Sequence, residues 1–148
     1  MKPRIWLILV IGLAAVSLSL VVMGCGGASL NTGKNRNLEQ VEPDFVDPVW
    51  YEDYQNDKRA AYERYDGKVL QIGVRVADTE ESTYGTEVTG TTGDEDRFRA
   101  SCTFPAAAAS SLENVRAGSY IEVKGLFDHM QETSNSYQIY LRNCVLVR

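Results

Sequence analysis

Five segments after residue 67 read as strands, most of them alternating apolar and polar residues with a period of two, and a helix-forming stretch separates the third from the fourth. In "KVLQIGVRVADTE", Leu70, Ile72, Val74 and Val76 alternate with Gln71, Gly73 and Arg75, the pattern of a strand with one buried face. "STYGTEVTGTT" follows with β-branched residues and a glycine that marks a bend or bulge. After the polar turn "TTGDEDR", "RFRASCTF" places Phe98, Ala100, Cys102 and Phe104 on one face and Arg97, Arg99, Ser101 and Thr103 on the other. Pro105 ends that strand, and "AAAASSLENVRAGS" supplies helix formers before the turn signal Ala117-Gly118. "YIEVKGLFD" points Ile121, Val123 and Leu126 inward, and "SYQIYLRNCVLV" alternates Ile139, Leu141, Val145 and Val147. No internal repeat is present. The expected fold is mostly β: a five-stranded OB-fold barrel with a helical connection between its third and fourth strands.

An amphipathic helix precedes the strands. In "PVWYEDYQNDKRAAYERYDGK", Trp50, Tyr54, Ala61 and Tyr65 recur at helical steps, with a start at Asp47-Pro48 and a stop at Gly67. The aromatic stripe reads as a packing face. Residues 26–48 lack hydrophobic periodicity and are rich in Gly, Asn and acidic residues, so residues 25–48 are expected to form a flexible tether, stiffened at Pro43 and Pro48.

The chain opens with Lys2 and Arg4 and continues from Ile5 to Met23 without a charge, the plan of a secretory signal. The run is also long enough to span a bilayer. Its end, Val22, Met23, Gly24 and Cys25, resembles the lipobox of bacterial lipoproteins. That resemblance implies a signal peptide over residues 1–24, cleavage after Gly24 and lipid, palmitate among it, on the Cys25 thiol. Several acyl chains hold a protein stably to a membrane where one does so only marginally. Gly26 follows the cysteine, which implies outer-membrane sorting in a bacterium with two membranes. The expected location is therefore the bacterial cell envelope, with the membrane itself as one partner, and residues 49–148 form the folded domain.

The chain has 15 basic and 20 acidic residues. Removing residues 1–24 takes away Lys2 and Arg4 and no acid, which lowers the net charge from -5 to -7. Such a balance repels phosphate backbones and argues against nucleic acid as a partner. A domain of this length has room for a single core.

The segments "YDGKVLQIGVRV", "ASCTFP", "LENVRAGSYIEVKGLF" and "IYLRNCVLV" resemble the tRNA-anti-like family of OB-fold domains. In that family a helix carrying Asn and Ala precedes a Tyr-x-Gly-Lys turn, matched here by Asn56, Ala60, Tyr65, Gly67 and Lys68. The likeness covers roughly residues 50–148. It implies architecture, brings no catalytic signature, and extends to many short lipoproteins of unknown role.

With Cys25 lipidated, Cys102 and Cys144 remain as a pair. They are either bridged, as export permits, or two small buried thiols. Simple alternation puts Cys144 on the face opposite Leu141 and Val145 unless a bulge near Asn143 reverses it. Asp94, Glu95 and Asp96 in "GDEDR" lack the alternating spacing of a calcium loop and read as a solvated turn. His129 stands without a second histidine, so no metal site is expected. No base accompanies a Ser or Cys in sequence and no glycine-rich phosphate loop is present, so neither an enzyme nor a cofactor is expected.

What remains is a non-enzymatic binding module for a protein, peptide or glycan, with Tyr84, Arg97 and Arg99 as the candidate ligand face, since OB domains bind on their second and third strands. The alternatives are a single-stranded nucleic-acid binder using Tyr84 to stack and Arg97 and Arg99 to meet phosphates, and an envelope structural or stress protein with no small ligand.

Overall fold

The computed structural model describes residues 37–147. The signal segment, Cys25 and the first part of the tether lie outside the described residues. In chain order the elements are β1 (Phe45–Val46), α1 (Trp50–Asn56), α2 (Lys58–Tyr65), β2 (Val69–Ser82), β3 (Gly85–Thr91), β4 (Phe98–Pro105), α3 (Ala109–Leu112), β5 (Tyr120–Glu132) and β6 (Tyr137–Leu146). Short 3-10 turns cover Leu38–Gln40 and Ala106–Ala108.

The strands form one mixed six-stranded sheet in the order β1-β2-β3-β4-β6-β5, and β2 pairs with β5 as well. The pairings therefore return on themselves in an OB-like ring that departs from a clean barrel. β1 lies outside it, β4 and β6 run parallel, and register shifts interrupt β2–β3 and β5–β6. The alternation seen in sequence fills the ring: Leu70, Ile72, Val74 and Val76 from β2 meet Phe98, Ala100, Cys102 and Phe104 from β4 in one buried cluster.

The single helix expected over residues 48–67 is two. Asp57 breaks it with an extended backbone, and its carboxylate accepts from Arg59 N at 3.0 Å and Ala60 N at 3.1 Å. Two unpaired amides at the start of α2 are thereby satisfied. The break lets both helices lay aromatic rings on the sheet. Tyr51 stacks on Phe98 with centroids 3.7 Å apart, while Tyr62 and Tyr65 flank Phe127 at 5.9 and 6.0 Å. Tyr62 adds directional bonds: its hydroxyl donates to Met130 O at 2.5 Å and accepts from Met130 N at 3.1 Å. Asp53 ties the helices together by accepting from Arg64 and from the Tyr65 hydroxyl. Burial, with Asp53 beside it, pushes the Tyr65 hydroxyl well above the usual phenol range.

The last two strands depart from simple alternation. Asn143 adopts φ 53°, and the β5–β6 register shifts between Lys124 and Leu126, so an extra residue enters β6 and the faces exchange. Cys144 consequently turns into the main core beside Leu141, whereas Leu126 and Val145, both expected inward, join a separate cluster with Leu38 and Val69. Gly125 makes this packing fit, because a Cβ there would lie 2.7 Å from Cys144 Sγ and 2.9 Å from Leu141 Cβ.

That second cluster corrects the tether. From residue 37 the segment is packed: Leu38 is 1 % exposed, β1 pairs with β2, and Lys124 Nζ donates to Val41 O at 2.7 Å. Sequence periodicity misses it because one leucine and a two-residue strand make no repeat. Leu38→Ala is therefore expected to destabilise the domain by about 2–5 kcal/mol. Urea unfolding measures this, and a midpoint unchanged from the parent would refute the packing of this segment.

Candidate functional site

A row of side chains crosses the outer face of the sheet at one level. Tyr120 on β5 faces Arg75 on β2, Arg75 faces Thr91 on β3, Thr91 faces Arg99 on β4, and Arg99 faces Gln138 on β6. Residues opposite one another in a ladder share a face. Two strand spacings separate the backbones of Arg75 and Arg99, about 10 Å. Both are exposed, and among the described Lys and Arg residues these two alone make no hydrogen bond or ion pair.

Tyr120 borders the row at 64 % exposure. It lies across Gly73, where a Cβ would come within 2.0 Å of the Tyr120 hydroxyl and 2.8 Å of its Cζ. Glycine here is a matter of space: it lets the ring lie down on the strand. Gly73 N donates to Asp47 Oδ1 at 3.0 Å, and Asp47 holds that position with φ 41°. Gly73, Arg75, Thr91, Asp94 and Tyr120 line a shallow cleft of about 250 Å³.

The same face changes sign toward the β2–β3 hairpin. Asp78 lies opposite Thr89 and Glu80 opposite Glu87, a like-charge pairing that is unfavourable. The Ser101 hydroxyl donates to Glu87 from the next strand. The face thus has one end with cations and an aromatic ring and another with carboxylates.

The structure distributes the three candidate residues differently from the sequence reading. Arg99 is in the row. Arg97 is occupied, with Nε donating to Glu95 Oε2 at 2.5 Å and its guanidinium 4.8 Å from the Phe98 ring. Tyr84 is 90 % exposed at the hairpin tip, seven residues before Thr91, which marks the level of Arg99, or roughly 20 Å at strand rise. Tyr84 and Arg99 are therefore not brought together. Arg75 and Tyr120, which the sequence reading did not single out, share the level of Arg99 across the sheet. Arg75 was visible as an outward strand residue, but the register that sets it two strands from Arg99 was not.

Of the remaining candidates, His129 stacks on Tyr140 with centroids 4.0 Å apart and its Nδ1 is 2.8 Å from Asp128, which Arg142 also approaches at 3.3 Å. Cys102 and Cys144 are free, buried thiols. Burial, then the neighbouring Cys102, pushes the Cys144 thiol far up, so it carries almost no reactive thiolate. Alkylation counted by mass spectrometry is expected to label neither residue quickly in the native state and both after unfolding without reductant. Labelling of neither after unfolding would show a bridge instead.

A ring of antiparallel pairings closed by one parallel pair and capped by helices defines an OB-like domain. The chain belongs to the tRNA_anti-like family, whose model matches residues 1–145. No curated protein matches it. A solved structure from Klebsiella pneumoniae subsp. pneumoniae, described as a "putative nucleic acid-binding lipoprotein", aligns at 17 % identity over 67 % of this chain and 86 % of that one, with a TM-score of 0.52. A second, described as a "putative aspartyl-tRNA synthetase" from Leishmania major, aligns at 12 % identity over 78 % of this chain and 22 % of that one, with a TM-score of 0.41. At such identities the first likeness is one of fold, and the second carries no further weight.

Proposed function

We propose that this chain is a lipid-anchored, non-enzymatic binding module of the bacterial envelope, and that the row through Arg75, Thr91 and Arg99 with Tyr120 is its ligand face. The observation that carries the reading is the pair of uncommitted guanidinium groups held on rigid strands beside an exposed ring. Arginine meets phosphate in bidentate fashion, and an aromatic ring accepts a base by stacking. These features favour single-stranded nucleic acid for this face, in keeping with the description of the Klebsiella protein as nucleic acid-binding. The acidic end of the face and the net charge of -7 left once residues 1–24 are removed oppose a long phosphate backbone, so the proposed bound segment is short.

Anchoring rests on the charged start, the apolar run and Gly24-Cys25, and the Klebsiella protein is likewise described as a lipoprotein. Among the described residues no helix is long and apolar enough to cross a membrane. Expressed in a bacterium, the chain is expected to lose residues 1–24 and fractionate with membranes, and Cys25→Ser is expected to block processing or release the anchor. A serine variant processed and fractionated like the parent would refute the lipid.

For the ligand face, fluorescence anisotropy with labelled oligothymidylate at low salt is expected to show saturable binding. Arg75→Ala with Arg99→Ala should flatten the salt dependence by about 1.4 in the log–log slope, two phosphates at about 0.7 each. Tyr120→Ala should cost about 1–3 kcal/mol. Absence of any anisotropy change at low salt would exclude nucleic acid. A peptide partner is favoured by a separate observation on a different surface, the cleft beneath the β2–β3 hairpin.

A further inference from the structure

Beyond Arg75, β2 pairs with β3 alone among the described residues, because its ladder with β5 ends at Arg75↔Tyr120. The hairpin closes at Ser82↔Gly85. Since bonded and non-bonded pairs alternate along an antiparallel ladder, Asp78, Glu80 and Ser82 bond toward β3, and Thr79 and Glu81 turn their backbone groups to the open edge. Thr79 N is covered by its neighbour's carboxylate, Asp78 Oδ1, at 2.8 Å. Glu81 has no such local cover.

Between this edge and α3 lies a cleft of about 500 Å³, bordered by Thr79, Glu81, Thr86, Leu112, Glu113 and Arg116. Three of its polar side chains are uncommitted. Thr86 is 8 % exposed, borders the cleft, and its hydroxyl makes no hydrogen bond. The hydroxyl oxygen itself opens on the cleft, since no buried side-chain polar atom among the described residues lacks a partner, and it is free to bond water or a ligand group there. Glu81 and Glu113 form no ion pair or hydrogen bond. Arg116 also lines the cleft, with Nη1 donating to Val115 O at 2.8 Å. Leu112 gives the cleft an apolar wall.

We propose that this cleft docks an extended basic peptide segment of a partner protein. The segment adds a strand to the open edge of β2, with Asp78 releasing Thr79 N to a peptide carbonyl. One lysine or arginine enters the cleft, where its methylenes lie on Leu112 and its cationic head donates to Glu81, Glu113 and the Thr86 hydroxyl oxygen. Strand addition supplies affinity through main-chain bonds and selectivity through alternate side chains. The carboxylates of Asp78, Glu80, Glu81 and Glu113 fix the sign of the partner. This site does not involve the Arg75 and Arg99 row.

The test is calorimetric titration of the full chain in detergent with an end-blocked peptide of alternating valine and lysine, about six residues long, the length of an ordinary strand. Saturable binding at one site per chain is expected. Glu81→Gln with Glu113→Gln should weaken it about ten-fold or more without changing the circular dichroism, since both side chains are solvent-facing. Thr86→Val should weaken it by a smaller factor, and Arg75→Ala with Arg99→Ala should leave it unchanged. A peptide N-methylated at alternate amides should lose binding in one of its two registers. No heat, equal binding of the glutamate counterpart, or binding unmoved by the double glutamine variant would each overturn the proposal. If 1,5-diaminopentane binds as tightly as the peptide, the cleft takes a small cation and strand addition fails. Self-association abolished by the double glutamine variant would give the edge to a second copy of the chain and likewise overturn it.

Discussion

The architecture turns on β2, a strand of 14 residues that is too long for any one neighbour in a ring this small. Its first half must satisfy amides on both edges, and it does so with β5 on one side and β1, Asp47 and β3 on the other. At the register shift between Val76 and Asp78 it leaves the ring and continues with β3 alone. Backbone groups in a sheet need partners, so this one change of company produces two surfaces. At the level of Arg75 five strands lie side by side and present one outer row around the ring. Past it, a two-stranded hairpin projects and exposes an edge.

Bulges allow the ring to close around mixed side chains. The one at Asn143 exchanges the faces of β6 and brings Cys144 inward against Gly125. Leu126 and Val145 turn outward, where they need a cover of their own, and Leu38 provides it. The packed N-terminal segment is thus a consequence of a bulge more than a hundred residues later in the chain. Removing that cover would leave Val69 and Leu126 facing water.

Charge is arranged by surface. The chain is acidic overall, and most of its cations are consumed locally: Arg59 with Glu63, Arg64 with Asp53, Lys58 with Glu132, Arg97 with Glu95. Exposed pairs of this kind add little stability. Their effect is to leave Arg75 and Arg99 as a local positive feature on a negative molecule. Long-range attraction of an anionic ligand is weak in such a field, so the binding proposed for the row rests on short-range contact.

The sequence by itself determined the strand alternation, the helical connection before β5 and the inward sets on β2 and β4, because side-chain period is a local property that burial of one face imposes residue by residue. It also displayed the lipobox-like stretch around Cys25, which is read without any fold. It located Arg99 as an outward side chain. Tertiary structure decided the rest. Which outward residues share a level depends on strand register, and register put Arg75 and Tyr120 at the level of Arg99 and Tyr84 far from it. The break at Asp57, the inward turn of Cys144 and the burial of Leu38 each depend on a partner far along the chain or on a single backbone conformation. No periodic signal encodes these, since they arise only when separate segments compete for the same space.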